Sequence, residues 1–280
     1  MTGTRANPLI MAGVNIYRSL PVSPAQRRKL KAFVFRFFPR KKTLFQHRWR
    51  GLNLNLDPDQ SIDMRLYYTG DYEPNTLGAI EKLIRKGSVV IDIGANIGVV
   101  SLWMAKCAGP DGLVIAVEPS AWAVSRLRAN AALNQDLKIE VVRAAAADEE
   151  GERQMNVLNG YRIDDIDSNT FEMVPFKKID SIVRERVLDR VDMIKIDTDG
   201  YETVVLSGAK ETIARFHPTI IFELGRDHLK EAGSSAEELI DWLRGFGYVF
   251  KDENLDPVDP LQVAAKLPVE YSVNIVAIRP

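Results

Sequence analysis

A short loop that contains two glycines follows an apolar run in the first half of the chain. The run Val89–Ile93 reads VVIDI, and residues 94–98 read GANIG. Glycines at both ends of such a loop permit sharp turns and close approach of a ligand, and the free amides of a following helix attract a carboxylate or a phosphate. This pattern predicts a site for a nucleotide-like cofactor. The predicted binding residues of the loop are Gly94, Ala95, Asn96 and Gly98.

Acidic residues near this loop bear on the identity of the cofactor. Glu118 and Pro119 follow the next apolar run, where a carboxylate can accept hydrogen bonds from both hydroxyls of a ribose. NAD and S-adenosylmethionine both use such a residue. The loop lacks the third glycine of the dinucleotide pattern G-x-G-x-x-G, and Asp92 lies just upstream of it. Because a carboxylate repels a pyrophosphate and attracts the ammonium group of a methionine moiety, the pattern favours S-adenosylmethionine.

Three later apolar runs also lead to carboxylates, namely Asp148, Asp197 and Glu223. Asp148 is added to the predicted cofactor residues. Methyl transfer is an in-line displacement, in which the enzyme orients an acceptor hydroxyl and helps to remove its proton. Asp197 and Glu223 are candidates for this chemistry, although Asp197 could instead cap a helix that begins near Glu202.

Lys195 lies two residues before Asp197, on the same side of a strand that is predicted to be buried on both faces. A buried charge needs a partner, so we predict a Lys195–Asp197 ion pair, which either holds a catalytic carboxylate or is purely structural.

The sequence assigns no metal site. Asp197 and Glu223 end neighbouring predicted strands, and two carboxylates are suitable oxygen ligands for magnesium, but no third ligand is evident. His228 could be a base near neutral pH, but a solvated helix residue is the favoured interpretation. His217 precedes the fifth strand and is expected at the opposite edge of the sheet.

Alternation of short β-branched runs with helical segments predicts an α/β domain with a Rossmann-like, mostly parallel sheet of seven strands. Two apolar runs near the end of the chain have no helical pattern between them. They predict an antiparallel terminal pair, which favours a class I methyltransferase sheet over a dinucleotide-binding one. The predicted strands are Val89–Ile93, Leu113–Val117, Ile139–Ala144, Met193–Ile196, Thr219–Phe222, Tyr248–Phe250 and Val273–Ile278. The predicted helices lie near residues 97–108, 121–133, 202–216 and 235–245.

The amino-terminal part differs in charge from the rest of the chain. Residues 1–56 contain no acidic residue, although the net charge of the whole chain is −1. We predict a basic helical extension over residues 1–50 and a catalytic domain over residues 51–280. Within the latter, residues 51–70 are predicted to form a leading hairpin and residues 71–280 the Rossmann-like core.

Residues 24–42 combine basic residues with apolar residues at helical spacing, which predicts an amphipathic helix. This helix could bind an anionic membrane surface or the phosphates of nucleic acid, or it could pack on the main domain, and the last interpretation is slightly favoured. The lone Cys107 excludes an intrachain disulfide. With no long apolar stretch, the expected location is cytoplasmic, with peripheral association at the inner membrane face as a further hypothesis.

Several of these segments together resemble the FkbM family of methyltransferases, over residues 66–224. In the segment Asp192–Glu202, family members typically carry Lys-x-Asp-x-Glu-Gly-x-Glu, and this chain has Asp199 in place of the first glutamate. The segment Gly70–Pro74 adds Tyr72 and Glu73 to the predicted cofactor residues. The matching segments are Gly70–Pro74, Val89–Gly98, Ala116–Pro119, Asp192–Glu202 and Pro218–Glu223.

The resemblance implies S-adenosylmethionine as methyl donor and transfer to a hydroxyl of a glycan, a glycolipid or a polyketide-like small molecule. An RNA methyltransferase is an alternative because of the basic extension. However, the sequence lacks the Asn/Asp-Pro-Pro-aromatic motif and an aromatic platform for single-stranded nucleic acid. A nucleic-acid partner is therefore not favoured. A non-catalytic module with a cofactor-binding fold and an NAD oxidoreductase are the remaining alternatives.

Overall fold

The structure is a computed structural model that describes residues 44–160 and 169–280. The basic segment 24–42 lies outside these residues, so its helix and its membrane or nucleic-acid contacts stay predictions. The chain divides into two compact units. Of the described residues, the first unit holds 44–74, 156–160 and 169–170, and the second holds 75–155 and 171–280.

Helices and strands alternate through most of the described residues. The strands are β1 (Phe45–Trp49), β2 (Leu52–Leu56), β3 (Val89–Ile93), β4 (Leu113–Glu118), β5 (Ile139–Arg143), β6 (Ala145–Ala146), β7 (Gly151–Leu158), β8 (Asn169–Lys177), β9 (Met193–Ile196), β10 (Thr219–Leu224), β11 (Val249–Lys251) and β12 (Val273–Ile278). The helices are α1 (Ser61–Thr69), α2 (Pro74–Leu83), α3 (Val99–Ala108), α4 (Ala121–Ala132), α5 (Ile179–Glu185), α6 (Glu202–Ser207), α7 (Lys210–Phe216), α8 (Arg226–Glu231), α9 (Ala236–Gly245) and α10 (Pro260–Lys266).

The first unit contains a hairpin, but only one of its strands was predicted. The predicted first arm, with alternating leucines from Leu52 to Leu56, is β2, and the predicted second arm included Met64, Leu66 and Tyr68. β1 pairs antiparallel with β2, so the end of the predicted helical extension forms a strand. The predicted second arm is helix α1, in which the Asp63 carboxylate accepts a hydrogen bond from the Asp57 amide. Because α1 buries residues on most of its sides, including Met64 and Leu66, the alternating apolar pattern there does not mark a strand.

The second unit is built on the predicted seven-stranded sheet. Its strand order is β11-β12-β10-β9-β3-β4-β5. The strands from β10 to β5 pair in parallel, and β12 runs antiparallel to both β10 and β11. The Rossmann-like sheet with an antiparallel terminal pair is therefore confirmed.

The central strands are buried because helices cover both faces of a parallel sheet. Their side chains are almost all aliphatic, and the core includes Ile91, Ile115, Ile194 and Phe222. β3 and β9 each carry one charged residue in this apolar setting. The register of the two strands places Asp92 beside Lys195.

The chain order of the sheet identifies the expected ligand crevice. From β3 the chain proceeds through β4 to β5 on one side, whereas β9 and β10 lie on the other side. Ligands bind to such sheets at the carboxyl ends of the strands where the order reverses. The loops that follow β3 and β9 therefore border the crevice.

Some predicted element boundaries need correction. The helix predicted over residues 202–216 is two helices, α6 and α7, because the chain turns at Gly208, where a Cβ atom would lie 1.9 Å from the Ala147 carbonyl oxygen. Helices α2, α5, α8 and α10 were not predicted, and neither was a small second sheet with the strand order β6-β8-β7. Helix α10 lies between β11 and β12, where the sequence predicted a connection without a helix. Among the described residues, no helix combines the length and the apolar character needed to cross a membrane.

Candidate active site

Gly94 packs the loop after β3 against the loop after β9. Gly94 has a φ of 79°, in the left-handed region that favours glycine. A Cβ atom at this position would lie 1.8 Å from the carbonyl oxygen of Asp197. Gly98 has a φ of 86°, and a Cβ atom there would lie 2.8 Å from Leu127 Cγ. Both glycines of the predicted cofactor loop are thus explained by backbone conformation and by close packing.

The residues between these glycines complete the turn into α3. The amides of Gly94 and Ala95 both donate to the Val117 carbonyl oxygen, at 3.0 and 3.1 Å. Asn96 adopts a φ of 49°, which asparagine tolerates better than most residues do. Gly98 is the N-cap of α3 and provides no side chain to satisfy the first amides of the helix. The loop therefore has the geometry of an anion-binding helix start.

Glu118 connects the two loops at the carboxyl ends of β3 and β4. Its Oε2 accepts a hydrogen bond from the Asn96 amide at 2.9 Å, and its Oε1 accepts one from the Ser120 amide at 2.9 Å. Glu118 is 8% exposed, and burial raises its pKa to about 7. Because each carboxylate oxygen has a second lone pair, both oxygens can still accept a hydrogen bond from a ribose hydroxyl.

Lys195 lies between two carboxylates beneath the crevice. Its Nζ donates to Asp197 Oδ2 at 2.7 Å, and its side chain is 2% exposed, compared with 31% for the Asp197 side chain. The predicted ion pair is thus present. On its other side, Lys195 faces the fully buried Asp92, where burial raises the pKa and the Lys195 ammonium opposes that rise.

The position of Asp92 differs from the prediction of direct cofactor contact. Asp92 is 0% exposed and accepts a hydrogen bond from the Ser101 hydroxyl. A side chain with no exposed surface cannot reach a ligand unless the loop moves. We therefore interpret Asp92 as a buried partner of Lys195, which helps to hold the ammonium beneath Asp197. Ser101 was not predicted, and its position one helical turn into α3 gives little sequence signal.

Asp197 is not a helix cap. The N-cap of α6 is Tyr201, and no side chain caps that helix. Glu202, in the first turn of α6, instead organises the preceding loop. Its Oε1 accepts hydrogen bonds from the amide and the hydroxyl of Thr198, at 3.0 and 2.9 Å, and from the Gly200 amide at 3.3 Å. This role of Glu202 was not predicted, although its carboxylate close to a glycine-containing turn is a detectable signal.

Glu223 ends strand β10 beside the Asp197 loop. The Ser272 hydroxyl donates to Glu223 Oε1. Burial raises the pKa of Glu223 to about 7, with further contributions from Asp197 and Asp199. The role of Ser272 was missed, because the predicted antiparallel pair comprised only the last two strands. The pairing of β12 with β10, which brings the start of β12 to the end of β10, was not predicted.

Asp199 and His228 join Glu223 at this edge of the sheet. One ligand atom of each of the three residues lies within 4.8 Å of the other two. His228 lies in helix α8, as expected, but it is half-buried and not fully solvated, because its Nδ1 is buried. His228 comes close because Gly200 and Gly225 leave space. A Cβ atom at Gly200 would lie 2.2 Å from the His228 carbonyl oxygen, and one at Gly225 would lie 2.9 Å from His228 Nδ1.

The remaining predicted cofactor residues are more dispersed. Pro119 is half-buried and directly follows Glu118, and Asp148 is exposed just after β6. Tyr72 and Glu73 belong to the first unit, so their cofactor contacts stay predictions. The second unit thus brings together the glycine loop, Glu118 and the Lys195–Asp197 pair at one edge of the sheet.

Comparison with known proteins identifies the family of this chain. Residues 92–250, more than half of the chain, match the family model described as the methyltransferase FkbM domain. The chain is 28% identical over 224 residues to 31-O-demethyl-FK506 methyltransferase FkbM of Streptomyces tacrolimicus, an alignment that covers 65% of this chain and 82% of that protein. It is 26% identical over 246 residues to the AMB antimetabolite synthetase AmbE of Pseudomonas aeruginosa, covering 72% of this chain and 11% of that one.

A solved structure of methyltransferase FkbM from Methylobacillus flagellatus KT has a TM-score of 0.49 and 18% identity, and the match covers 75% of this chain and 49% of that one. The present chain therefore spans about half or less of two of these three relatives. The family model covers the crevice from Asp92 through the Asp197 loop to Glu223 and His228. This chain belongs to the FkbM family of methyltransferases, which use S-adenosylmethionine.

Proposed function

We propose that this protein transfers a methyl group to a hydroxyl oxygen of a glycan, a glycolipid or a polyketide-like metabolite. The observation that carries this proposal is the position of Asp197. Its partly exposed carboxylate is held by a buried lysine at the end of β9, and its backbone packs against the glycine loop. A fixed carboxylate at this place can accept the proton of a hydroxyl. In addition, the relative from Streptomyces tacrolimicus bears the name of a methyltransferase for 31-O-demethyl-FK506.

The residues around the crevice fit S-adenosylmethionine. The glycine loop offers backbone amides at the start of α3, and Glu118 offers two oxygens toward a ribose. When bound, the cofactor supplies an electrophilic methyl group on a sulfonium centre. The protein side of the reaction is then the binding and orientation of the acceptor hydroxyl and the removal of its proton.

Lys195 fixes the direction of the Asp197 carboxylate. Its ammonium occupies Oδ2 at 2.7 Å, so Oδ1 is the oxygen that can face an acceptor. The buried Asp92 lies beside Lys195 in the neighbouring strand and interacts with its ammonium electrostatically. Glu223 faces the same edge, so it is a second group that can bind or orient the acceptor. We propose Asp197 as the proton acceptor and Lys195 as a positioning residue.

Cofactor affinity is expected to depend on pH through Glu118. Both oxygens of Glu118 already accept a backbone amide, so only the ionised carboxylate can also accept a hydrogen bond from a ribose hydroxyl at each oxygen, and the pKa of Glu118 is raised to about 7. Raising the pH from about 6 to about 8 should therefore increase the affinity for S-adenosylmethionine about tenfold. The same raised pKa means that the cofactor-free protein loses stability as the pH rises through this range, because the folded state binds the extra proton.

Isothermal titration calorimetry over this pH range tests the role of Glu118. Glu118→Gln should bind more weakly and should show a flat profile, because glutamine does not titrate. Asp241→Asn, on the exposed side of α9, is the control that should keep the wild-type profile. An unchanged slope in Glu118→Gln would exclude Glu118 as the titrating ribose ligand.

A screen for the acceptor tests the proposed reaction. The full chain, S-adenosylmethionine with a labelled methyl group, and a panel of hydroxyl-bearing glycans, glycolipids and macrolide-type polyketides are incubated together. We expect label in one class of acceptor, and NMR of the product should show a methoxy carbon. The comparison substrates are structured RNA and amines that carry no hydroxyl group. Transfer of the label to nitrogen or to RNA, with none to hydroxyls, would contradict the proposal.

A further inference from the structure

The cluster of Asp199, Glu223 and His228 comprises three potential metal ligands from three different elements. Asp199 lies in the loop after β9, Glu223 near the end of β10 and His228 in α8. Their nearest ligand atoms lie within 4.8 Å of one another. Oxygen and nitrogen ligands about 2.0–2.2 Å from one cation lie roughly 3–4 Å apart, so small side-chain adjustments suffice to bring the three atoms to a common ion.

Two donor atoms of this cluster lack partners among the residues that the structure describes. Glu223 Oε2 and His228 Nδ1 are both buried, and neither has a hydrogen-bond partner there. Buried polar atoms are usually satisfied, and one that is not calls for an explanation such as an ion. Glu202 is 1% exposed, and its Oε2 is a third buried atom without a hydrogen-bond partner among the described residues. The Glu202 carboxylate lies close enough to Glu223 to act on it electrostatically.

The backbone around His228 is shaped for close approach. Cβ atoms at Gly200 and Gly225 would contact the His228 backbone and imidazole, respectively, at distances that real side chains do not adopt. The two glycines therefore bring α8 against the loop that carries Asp199.

The charge at this edge also favours a cation. Asp197, Asp199 and Glu202 each lie close enough to Glu223 to repel its carboxylate electrostatically. Lys195 is the buried ammonium beside them, and it is already bonded to Asp197. Bringing a divalent cation among these carboxylates would relieve their repulsion.

We propose that Asp199, Glu223 and His228 form a binding site for a divalent transition-metal ion. Two carboxylates and one imidazole suit Mn²⁺, Fe²⁺, Co²⁺ or Zn²⁺ better than Ca²⁺ or Mg²⁺, which prefer oxygen ligands alone. Such an ion would keep open positions toward the crevice, where an acceptor oxygen could bind and become more acidic. Only this last use of the ion rests on the proposed function. The site itself does not.

Metal binding can be measured without any methyl donor or acceptor. The full chain, without a histidine tag and after treatment with a chelator, is titrated with Mn²⁺ and followed by electron paramagnetic resonance; Zn²⁺ and Mg²⁺ are titrated by calorimetry. We expect one tight equivalent of Mn²⁺ or Zn²⁺ and weaker binding of Mg²⁺. Asp199→Asn and His228→Ala should each weaken Mn²⁺ binding at least about tenfold.

A matched control separates this site from other histidines. His217 lies at the end of α7, ahead of β10, where it contacts Arg279, so His217→Asn should bind Mn²⁺ like the wild type. Circular dichroism and the melting temperature of each metal-free variant check its fold. Absence of a bound equivalent, or equal binding by wild type, Asp199→Asn and His228→Ala, would overturn the proposal. Since no methyl transfer is measured, either result leaves the proposed function to its own test.

Discussion

Replacing Asp197 by asparagine is expected to slow methyl transfer by a factor of about 10² to 10⁴, the usual contribution of a positioned general base. Asparagine keeps the shape of the side chain and can still accept a hydrogen bond from Lys195, but it cannot take up the acceptor proton. The backbone carbonyl that packs against Gly94 is unchanged. We therefore expect the affinity for S-adenosylmethionine to stay within about twofold of wild type, so that the loss appears in kcat.

The measurement uses initial rates with the acceptor class that the screen identifies, and calorimetry for the cofactor. Asp241→Asn, the same substitution at an exposed position of α9, should retain the wild-type rate. The proton-acceptor role of Asp197 would be lost if Asp197→Asn were as active as this control. A loss of cofactor affinity that matched the loss of rate would instead assign Asp197 to cofactor binding.

Gly94→Ala is expected to remove cofactor binding and to lower the free energy of unfolding by more than about 5 kcal/mol, a range reached by few single substitutions. Two effects combine. The left-handed φ of 79° disfavours any residue with a Cβ atom by about 1–2 kcal/mol. The larger effect is the contact with the Asp197 carbonyl oxygen, which would lie 1.8 Å from the new Cβ atom. Because that oxygen belongs to the backbone of the loop that follows β9, no side-chain rotation relieves the clash.

Gly87→Ala is the matched control. Gly87 has a nearly identical φ of 78°, but a Cβ atom there would meet no atom within 4 Å. This variant should lose only about 1–2 kcal/mol and should bind S-adenosylmethionine normally. Urea unfolding of both variants, with calorimetry of the folded protein, measures the difference. Equal stabilities of the two alanine variants would contradict the close packing of the two loops.

The sheet was predictable because its strands have a distinct composition. β3, β9 and β10 are nearly continuous runs of β-branched and aliphatic residues, as strands buried on both faces must be. The hairpin in the first unit was harder, since Met64 and Leu66 alternate with polar residues in a helix that is buried on most sides. Short elements such as α8 were missed because six residues give too little periodicity to detect.

The candidate site was predicted in part for a similar reason. Gly94, Glu118 and Asp197 directly follow strands, so the rule that ligands bind at the carboxyl ends of parallel strands is sufficient to find them. His228 was misjudged because its burial depends on two glycines, Gly200 and Gly225, whose close contacts are visible only in three dimensions. Asp92 was assigned to the cofactor because its position in the strand does not reveal that its side chain is fully buried beside Lys195.

The hydrogen bonds of Glu202 bear on how readily this enzyme can acquire new acceptors. They fix the backbone of the loop after β9 from within, through the amides of Thr198 and Gly200. The neighbouring Tyr201 side chain is 52% exposed and takes no part in these bonds. Mutations at Tyr201 should therefore change the exposed surface beside this loop while the loop keeps its shape. If the proposed acceptor binds at this edge of the sheet, position 201 is a place where acceptor preference can change without loss of the loop.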